Sequence, residues 1–270
     1  MKVSIVIPTY NGSKYIRKTI DSCVLQTYSN IEIIVVDDCS KDNTVDILNE
    51  YKKDGKIKLF INRENSGVLK SSNRGCKEAT GDFLIVLGQD DMIPCNYIEQ
   101  MVKDALSESS LIFSNPYFID ENDEIFGLVQ NDELLDKYMI NNRYFICKEN
   151  FIPATGALIN RDKFIEVGMF DEKYKNYGEW LLWIKLIKAG RVIFNKDVRA
   201  MYRRHKSNMT NSFDKVYVKK ELQKYHRECR SFGLINLNIN FIEKAKIILY
   251  IVMIECKNIL SNIFFTIKGR

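Results

Sequence analysis

Val3-Ser4-Ile5-Val6-Ile7-Pro8-Thr9-Tyr10-Asn11-Gly12 decides how this chain is organised. A run of β-branched residues with one serine reads as a buried strand, and Pro8 and Gly12 mark the turn out of it. Residues 13–25 then place apolar side chains at helical spacing. A second apolar run at 32–36 leads into Asp37-Asp38-Cys39-Ser40-Lys41-Asp42-Asn43-Thr44 and a helical stretch at 43–52, which Asp42 is placed to cap. Further strands are expected at 57–61, 83–87 and 111–113, with helices at 68–79 and 96–106. Strand, helix, strand at this interval predicts a mainly parallel, doubly wound α/β sheet. Right-handed crossovers place the loops after its strands on one edge, where such sheets bind ligands.

The rhythm changes near residue 115. Residues 117–119 and 125–128 flank the acidic turn Asp120-Glu121-Asn122-Asp123-Glu124 and predict a hairpin. A strand–helix unit follows at 156–167, then a helix at 179–189 that stops on Gly190. Short strands are expected at 191–194 and 198–203, and helices at 216–232 and 241–267.

Seven cysteines without a CxxC pair and only two histidines leave a zinc site almost no ligands. Scattered cysteines of this kind predict reduced thiols and a cytoplasmic location, and Met1-Lys2 runs into the first strand without a leader pattern. Charge is uneven. Residues 1–198 carry 25 Lys+Arg and 30 Asp+Glu, a net of −5, whereas residues 199–270 carry 15 and 5, a net of +10. The basic end predicts an anionic partner or a solvated basic face.

Of the three loops on one sheet edge, two deliver four carboxylates: Asp37 and Asp38 after the second strand, Asp90 and Asp91 in Gly88-Gln89-Asp90-Asp91 after the fourth. Oxygen-only clusters suit Mg2+ or Mn2+ holding diphosphate oxygens. GxxxxGK[ST] and GxGxxG are both missing from these loops, which argues against P-loop and dinucleotide chemistry.

These segments, with Gln26-Thr27-Tyr28, Asn65-Ser66-Gly67, Asn73-Arg74-Gly75 and Gly81-Asp82, resemble family 2 glycosyltransferases. So do Thr155-Gly156-Ala157, Gly168-Met169-Phe170-Asp171-Glu172, Glu179-Trp180-Leu181-Leu182-Trp183 and Tyr202-Arg203-Arg204-His205. The likeness runs in order over about residues 1–205. It implies a glycosyltransferase A type domain there, with a nucleotide-sugar half at about 1–114 and an acceptor half at about 115–205. Residues 206–270 form basic amphipathic helices beyond it.

The resemblance also implies roles. Pro8, Thr9, Tyr10, Asn11, Asp37, Asp38, Asn73, Gln89 and Asp90 would contact the donor nucleotide. Asp38 would accept the pyrimidine N3–H, which favours uracil over cytosine. Asp90 would ligate the divalent cation, Mg2+ or Mn2+, on the donor diphosphate. Glu179 would be the general base for the acceptor hydroxyl, with Asp91, Trp180, Arg203 and His205 as further diphosphate or acceptor contacts. Two positions depart from the family pattern: Gly88 replaces the first aspartate of the metal motif, and Gly178-Glu179 stands where the family has Glu-Asp.

The function implied is inverting transfer from a nucleotide-sugar, a UDP-sugar by the Asp38 logic, to a saccharide or lipid-linked acceptor. Bacterial surface-polysaccharide synthesis at the inner membrane face is the implied setting. A silent nucleotide-sugar-binding subunit and a sugar-phosphate nucleotidyltransferase are the alternatives, and nucleic acid is not an expected partner. On the last helix Glu243, Lys244, Lys246, Glu255, Lys257, Asn258, Ser261, Asn262 and Thr266 fall on one half, with Ile, Leu, Met and Phe opposite. Such a helix can lie in a membrane interface, dock on the catalytic domain, or pair in a homodimer.

Overall fold

In the computed structural model, which describes residues 1–174, 177–208 and 216–268, the opening stretch forms strand β1 (Val3–Thr9) at the centre of the protein. It is buried along its whole length and its alternation sorts the core. Val3, Ile5 and Ile7 join one apolar cluster with Ile16 and Ile20 of α1 (Ile16–Val24), while Val6 joins a second cluster on the other face. Strand β2 (Ile31–Asp37), helix α2 (Thr44–Lys53), β3 (Lys58–Ile61), α3 (Val68–Glu78), β4 (Phe83–Val86) and α4 (Tyr97–Lys103) continue the alternation. Gly75 lets α3 press directly on the sheet, since a Cβ there would meet Val6 Cγ1 at 2.4 Å and Val36 Cγ2 at 3.1 Å.

Beyond β5 (Ser109–Phe113) come the expected hairpin, β6 (Tyr117–Ile119) and β7 (Ile125–Leu128), and then two helices that the sequence reading did not contain. They are α5 (Asp132–Ile140) and α6 (Asn142–Ile146), each begun by Asn131 or Asn141 accepting from a first-turn N–H. Strand β8 (Leu158–Asn160), α7 (Arg161–Glu166), a 3-10 turn (Glu172–Tyr174), α8 (Glu179–Ala189), β9 (Arg191–Phe194) and β10 (Met201–Arg203) follow. The chain closes with α9 (Val216–Asn236) and α10 (Phe241–Lys268).

The main sheet has the order β3-β2-β1-β4-β8-β5-β9. It is parallel except for β8, which runs antiparallel to β4 and β5. A small sheet, β10-β6-β7, lies beside it, and the Met92–Met201 bridge joins β10 to the loop after β4. The expected mainly parallel doubly wound architecture is therefore present, with one reversed strand.

The carboxyl-terminal helices are not a separate appendage. Tyr225 and Cys229 of α9 and Ile247 of α10 belong to the core cluster that contains α8, and the Tyr225 hydroxyl accepts from Leu181 N–H at 3.0 Å. Helix α9 and the first half of α10 thus pack on the α/β domain. The polarity of α10 is mixed, with Ile247 turned inward and Lys246 outward. Glu243 turns inward to accept from Asn141 Nδ2 at 2.6 Å, whereas Phe241, Ile242, Ile248, Leu249, Val252 and Met253 face out. The side chains of Glu255, Lys257, Asn258, Ser261, Asn262 and Thr266 lie outside the described residues.

Candidate active site

Because β1, β2 and β4 are mutually parallel, the loops after them meet at one edge. Hydrogen bonds weld them together. Asp38 N–H donates to Thr9 O at 2.7 Å, Asn11 N–H to Ser40 Oγ at 2.9 Å, and Lys41 N–H to Asn11 Oδ1 at 2.8 Å. Asn11 (φ 49°) and Cys39 (φ 67°) both take left-handed conformations to make these turns. Asp42, one residue before the assigned cap, still satisfies the start of α2 by accepting from Thr44 N–H at 3.1 Å.

Gln89 clamps the third loop to the first. Its Oε1 accepts from Thr9 Oγ1 at 2.6 Å and Tyr10 N–H at 2.8 Å. Pro8 and Thr9 are buried beneath, while the Tyr10 ring is exposed at the rim. Asp37 is fully buried: Oδ2 accepts from Ser40 N–H at 2.9 Å, and Oδ1 has no hydrogen-bond donor within the protein. Asp38, also buried, accepts from Ser66 N–H at 2.9 Å and Gly67 N–H at 2.8 Å, ahead of the first turn of α3.

The Asp90 carboxylate meets His205 across 115 residues of sequence, with Oδ2 and Nε2 2.8 Å apart. Asn208 Nδ2 approaches the same oxygen at 3.3 Å. The His205 ring lies 5.0 Å from that of Tyr15, over which the Arg203 guanidinium and Lys14 Nζ each lie at 4.8 Å. Asp91 is buried and accepts from Thr155 Oγ1 at 3.0 Å and Arg203 N–H at 3.1 Å. Burial, and then the charge of Asp90, push its carboxyl up to about 8. An open cleft of about 660 Å³, lined by Asp120, Glu121, Asn122, Arg204, His205 and Lys206, adjoins this pair. Its hairpin wall is tied to the first helix segment by the Lys14–Glu121 and Lys18–Asp123 ion pairs, both 2.5 Å.

A divalent cation fits this donor set in one way. Among the described residues no group of three or more His, Cys, Asp or Glu side chains is placed to hold a metal. Asp90 and His205 together offer one carboxylate and one imidazole. That suffices only where phosphate oxygens and water complete the shell, so the residues suit a cation shared with a diphosphate.

Both departures from the family pattern have a steric counterpart. A Cβ at Gly88 would lie 2.9 Å from Asp91 Oδ2 and 3.1 Å from Asp90 Oδ1, so the space of a third aspartate is already occupied. A Cβ at Gly178 would lie 2.7 Å from Leu69 Cδ1, so α8 begins in contact with the first turn of α3. Glu179 opens α8 directly after this contact. It keeps partial exposure, yet desolvation raises its carboxyl above the ordinary range.

Three expected site residues are used elsewhere in this conformation. Asn73 is buried and bonds Phe170 N–H, Phe170 O (2.9 Å) and Glu172 Oε1 (3.0 Å), which joins α3 to the segment before α8. Trp180 is buried and its indole N–H donates to Ile146 O at 2.7 Å. Arg203 is fully buried, with Nε on Asp90 O at 2.9 Å and Nη1 on Asp120 O at 2.7 Å, so in this conformation it ties the two loops together. The sequence reading had no role for Asn62, Tyr15 or Asn208. Asn62 directly follows a strand end, as Asp38 does, and that position was the available signal.

Comparison with known proteins gives the fold class and the family. The structure of S. aureus TarS in complex with UDP-GlcNAc superposes with a TM-score of 0.72 at 20% identity, over 93% of this chain and 72% of that one. A mannosyltransferase of Pyrobaculum calidifontis, in complex with GDP-Man and Mn2+, gives 0.64 at 16% identity over 92% and 68%. The architecture is thus that of the glycosyltransferase A class. Residues 4–168 match the model for glycosyl transferase family 2, and the chain belongs to that family. An uncharacterized glycosyltransferase of Rickettsia typhi is 34% identical over 213 residues, which is 78% of this chain and 66% of that protein. The chain therefore spans about two thirds of that relative's length.

Proposed function

We propose that this chain transfers a sugar, with inversion, from a UDP-sugar to a hydroxyl of a saccharide or lipid-linked acceptor. The observation that carries the reading is the meeting of the three strand-end loops with the His205–Asp90 pair at one sheet edge. Bound UDP-GlcNAc in the TarS complex supports a UDP-sugar donor.

The steps follow from the residues. The β1 and β2 loops hold the nucleoside, and Asp38 accepts the uracil N3–H. Asp90 and His205 would hold a divalent cation beside the donor diphosphate, and that cation would offset the negative charge that grows on the leaving UDP. Glu179, whose burial raises its proton affinity, takes the acceptor's hydroxyl proton. The acceptor oxygen then bonds to the anomeric carbon as the carbon–oxygen bond to the diphosphate breaks on the opposite face. Bacterial surface-polysaccharide synthesis at the inner face of the membrane is the setting we infer from the family resemblance. Release of UDP from a panel of UDP-sugars, with and without acceptor extract, tests the reading; no donor giving acceptor-stimulated UDP would overturn it.

A lipid surface is the second partner we propose. No helix among the described residues is long and apolar enough to cross a membrane. Yet α10 presents outward Phe241 at 85% exposure with Ile242, Ile248, Leu249, Val252 and Met253, and α9 presents Lys220, Lys224 and Ile235. An apolar stripe on a chain end that carries a net charge of +10 over residues 199–270 suits anionic headgroups over acyl chains, whereas a second copy would use the stripe alone.

A further inference from the structure

Asp38 is held by more than its own loop. Its Oδ1 accepts two hydrogen bonds, from Ser66 N–H at 2.9 Å and from Asn62 Nδ2 at 2.6 Å. Its Oδ2 accepts one, from Gly67 N–H at 2.8 Å. An ionised carboxylate offers about four acceptor positions, two on each oxygen, so the protein fills Oδ1 and leaves one position on Oδ2.

Asn62 is itself fixed from three sides. Its N–H donates to Asp37 O at 2.8 Å, its Nδ2 also reaches Ser71 Oγ at 2.9 Å, and its Oδ1 accepts from the Arg74 guanidinium. The same Arg74 nitrogen donates to Ile61 O at 3.0 Å, and the guanidinium lies over the Phe60 ring at 5.5 Å. Arginine can only donate, so it decides which end of the Asn62 amide is oxygen and turns the NH2 toward Asp38.

We propose that Asn62, oriented by Arg74, is a positioning residue that aims Asp38 Oδ2 at the N3–H of the donor base and so sets base selectivity. The proposal rests on Asp38 being the base-reading residue. Without the amide, Oδ1 regains an open position and the carboxylate can turn, so an N3–H is no longer read at one defined place. Arg74 acts one step further back, through the Asn62 amide alone.

Calorimetry on the full chain with UDP and with N3-methyl-UDP, which lacks the N3–H, tests this. Wild type should bind UDP at least about 10-fold more tightly than the methylated nucleotide, the range for one hydrogen bond to a charged group. In Asn62→Ala that ratio should fall to about 2-fold or less, while binding of inorganic pyrophosphate with Mn2+ is unchanged. Arg74→Met should also lose discrimination, and Arg74→Lys, which keeps a donor, should retain more of it. This second pair keeps the test decisive where Asn62→Ala does not fold. Wild type that binds both nucleotides equally would overturn the reading of Asp38. Wild type that discriminates, with both Asn62→Ala and Arg74→Met still discriminating, would overturn the positioning role alone.

Discussion

His205 Nε2 lies 2.8 Å from Asp90 Oδ2, so the last strand of the small sheet delivers an imidazole to the carboxylate after β4. This contact joins the loop after β4 to the segment that follows β10. Asp90→Asn keeps the size of the side chain but cannot neutralise a cation. We expect turnover with Mn2+ to drop about 100-fold or more while the circular dichroism spectrum stays unchanged, since electrostatic groups at a reacting centre contribute on that order. Equal rates with EDTA and with Mn2+ in wild type would remove the cation from the account.

Gly178 and Leu69 make a second contact that can be tested by stability. Placing an acid at this position with Gly178→Asp puts a Cβ 2.7 Å from Leu69 Cδ1. The expected loss is about 1–3 kcal/mol in urea unfolding, the usual cost of overpacking. Leu69→Ala in the same chain should restore part of the loss specific to Gly178→Asp. A double mutant with no such recovery would place the cost elsewhere.

His226 should give the fold a pH dependence of its own. Burial, and then the Arg230 charge, lower its pKa to about 4 from an ordinary 6.5. The unfolded chain then binds the proton more readily, so this stability is complete above pH 6.5 and is lost as pH falls toward 4. Thermal midpoints of wild type minus His226→Phe should decline across that window. A flat difference would show that the ring is not held neutral.

The α10 stripe should bind lipid. Vesicles of phosphatidylglycerol and phosphatidylcholine should carry the chain on flotation, and Phe241→Ser with Leu249→Ser should abolish this without changing UDP affinity. A chain that ignores such vesicles but loses a dimer in the double variant would assign the stripe to a second copy.

How much of this was legible depended on the range of the interactions. Strands β1 and β2 announce themselves because β-branched runs are bounded by turn residues, a local signal. The ends of the hairpin and of α8 were equally plain. Helices α5 and α6 were not, because residues 129–155 mix apolar and polar side chains without a clear period, although Asn131 and Asn141 carried cap chemistry. The reversed strand β8 is three residues long, too short for a pattern to show direction. At the site, Asp37, Asp38 and Asp90 were readable from strand ends. The inward turn of Asn73, Trp180 and Arg203 depends on partners as distant as Phe170, Ile146 and Asp90, which no local spacing encodes.

Glu179 is the base we propose for the UDP-sugar transfer. Its most direct test is the initial rate of acceptor-dependent UDP release by wild type and Glu179→Gln, at saturating donor. The amide keeps size and polarity but cannot take a proton, so the rate should fall about 10²–10⁴-fold while UDP affinity is unchanged. A Glu179→Gln chain that releases UDP at the wild-type rate in the presence of acceptor would contradict the account.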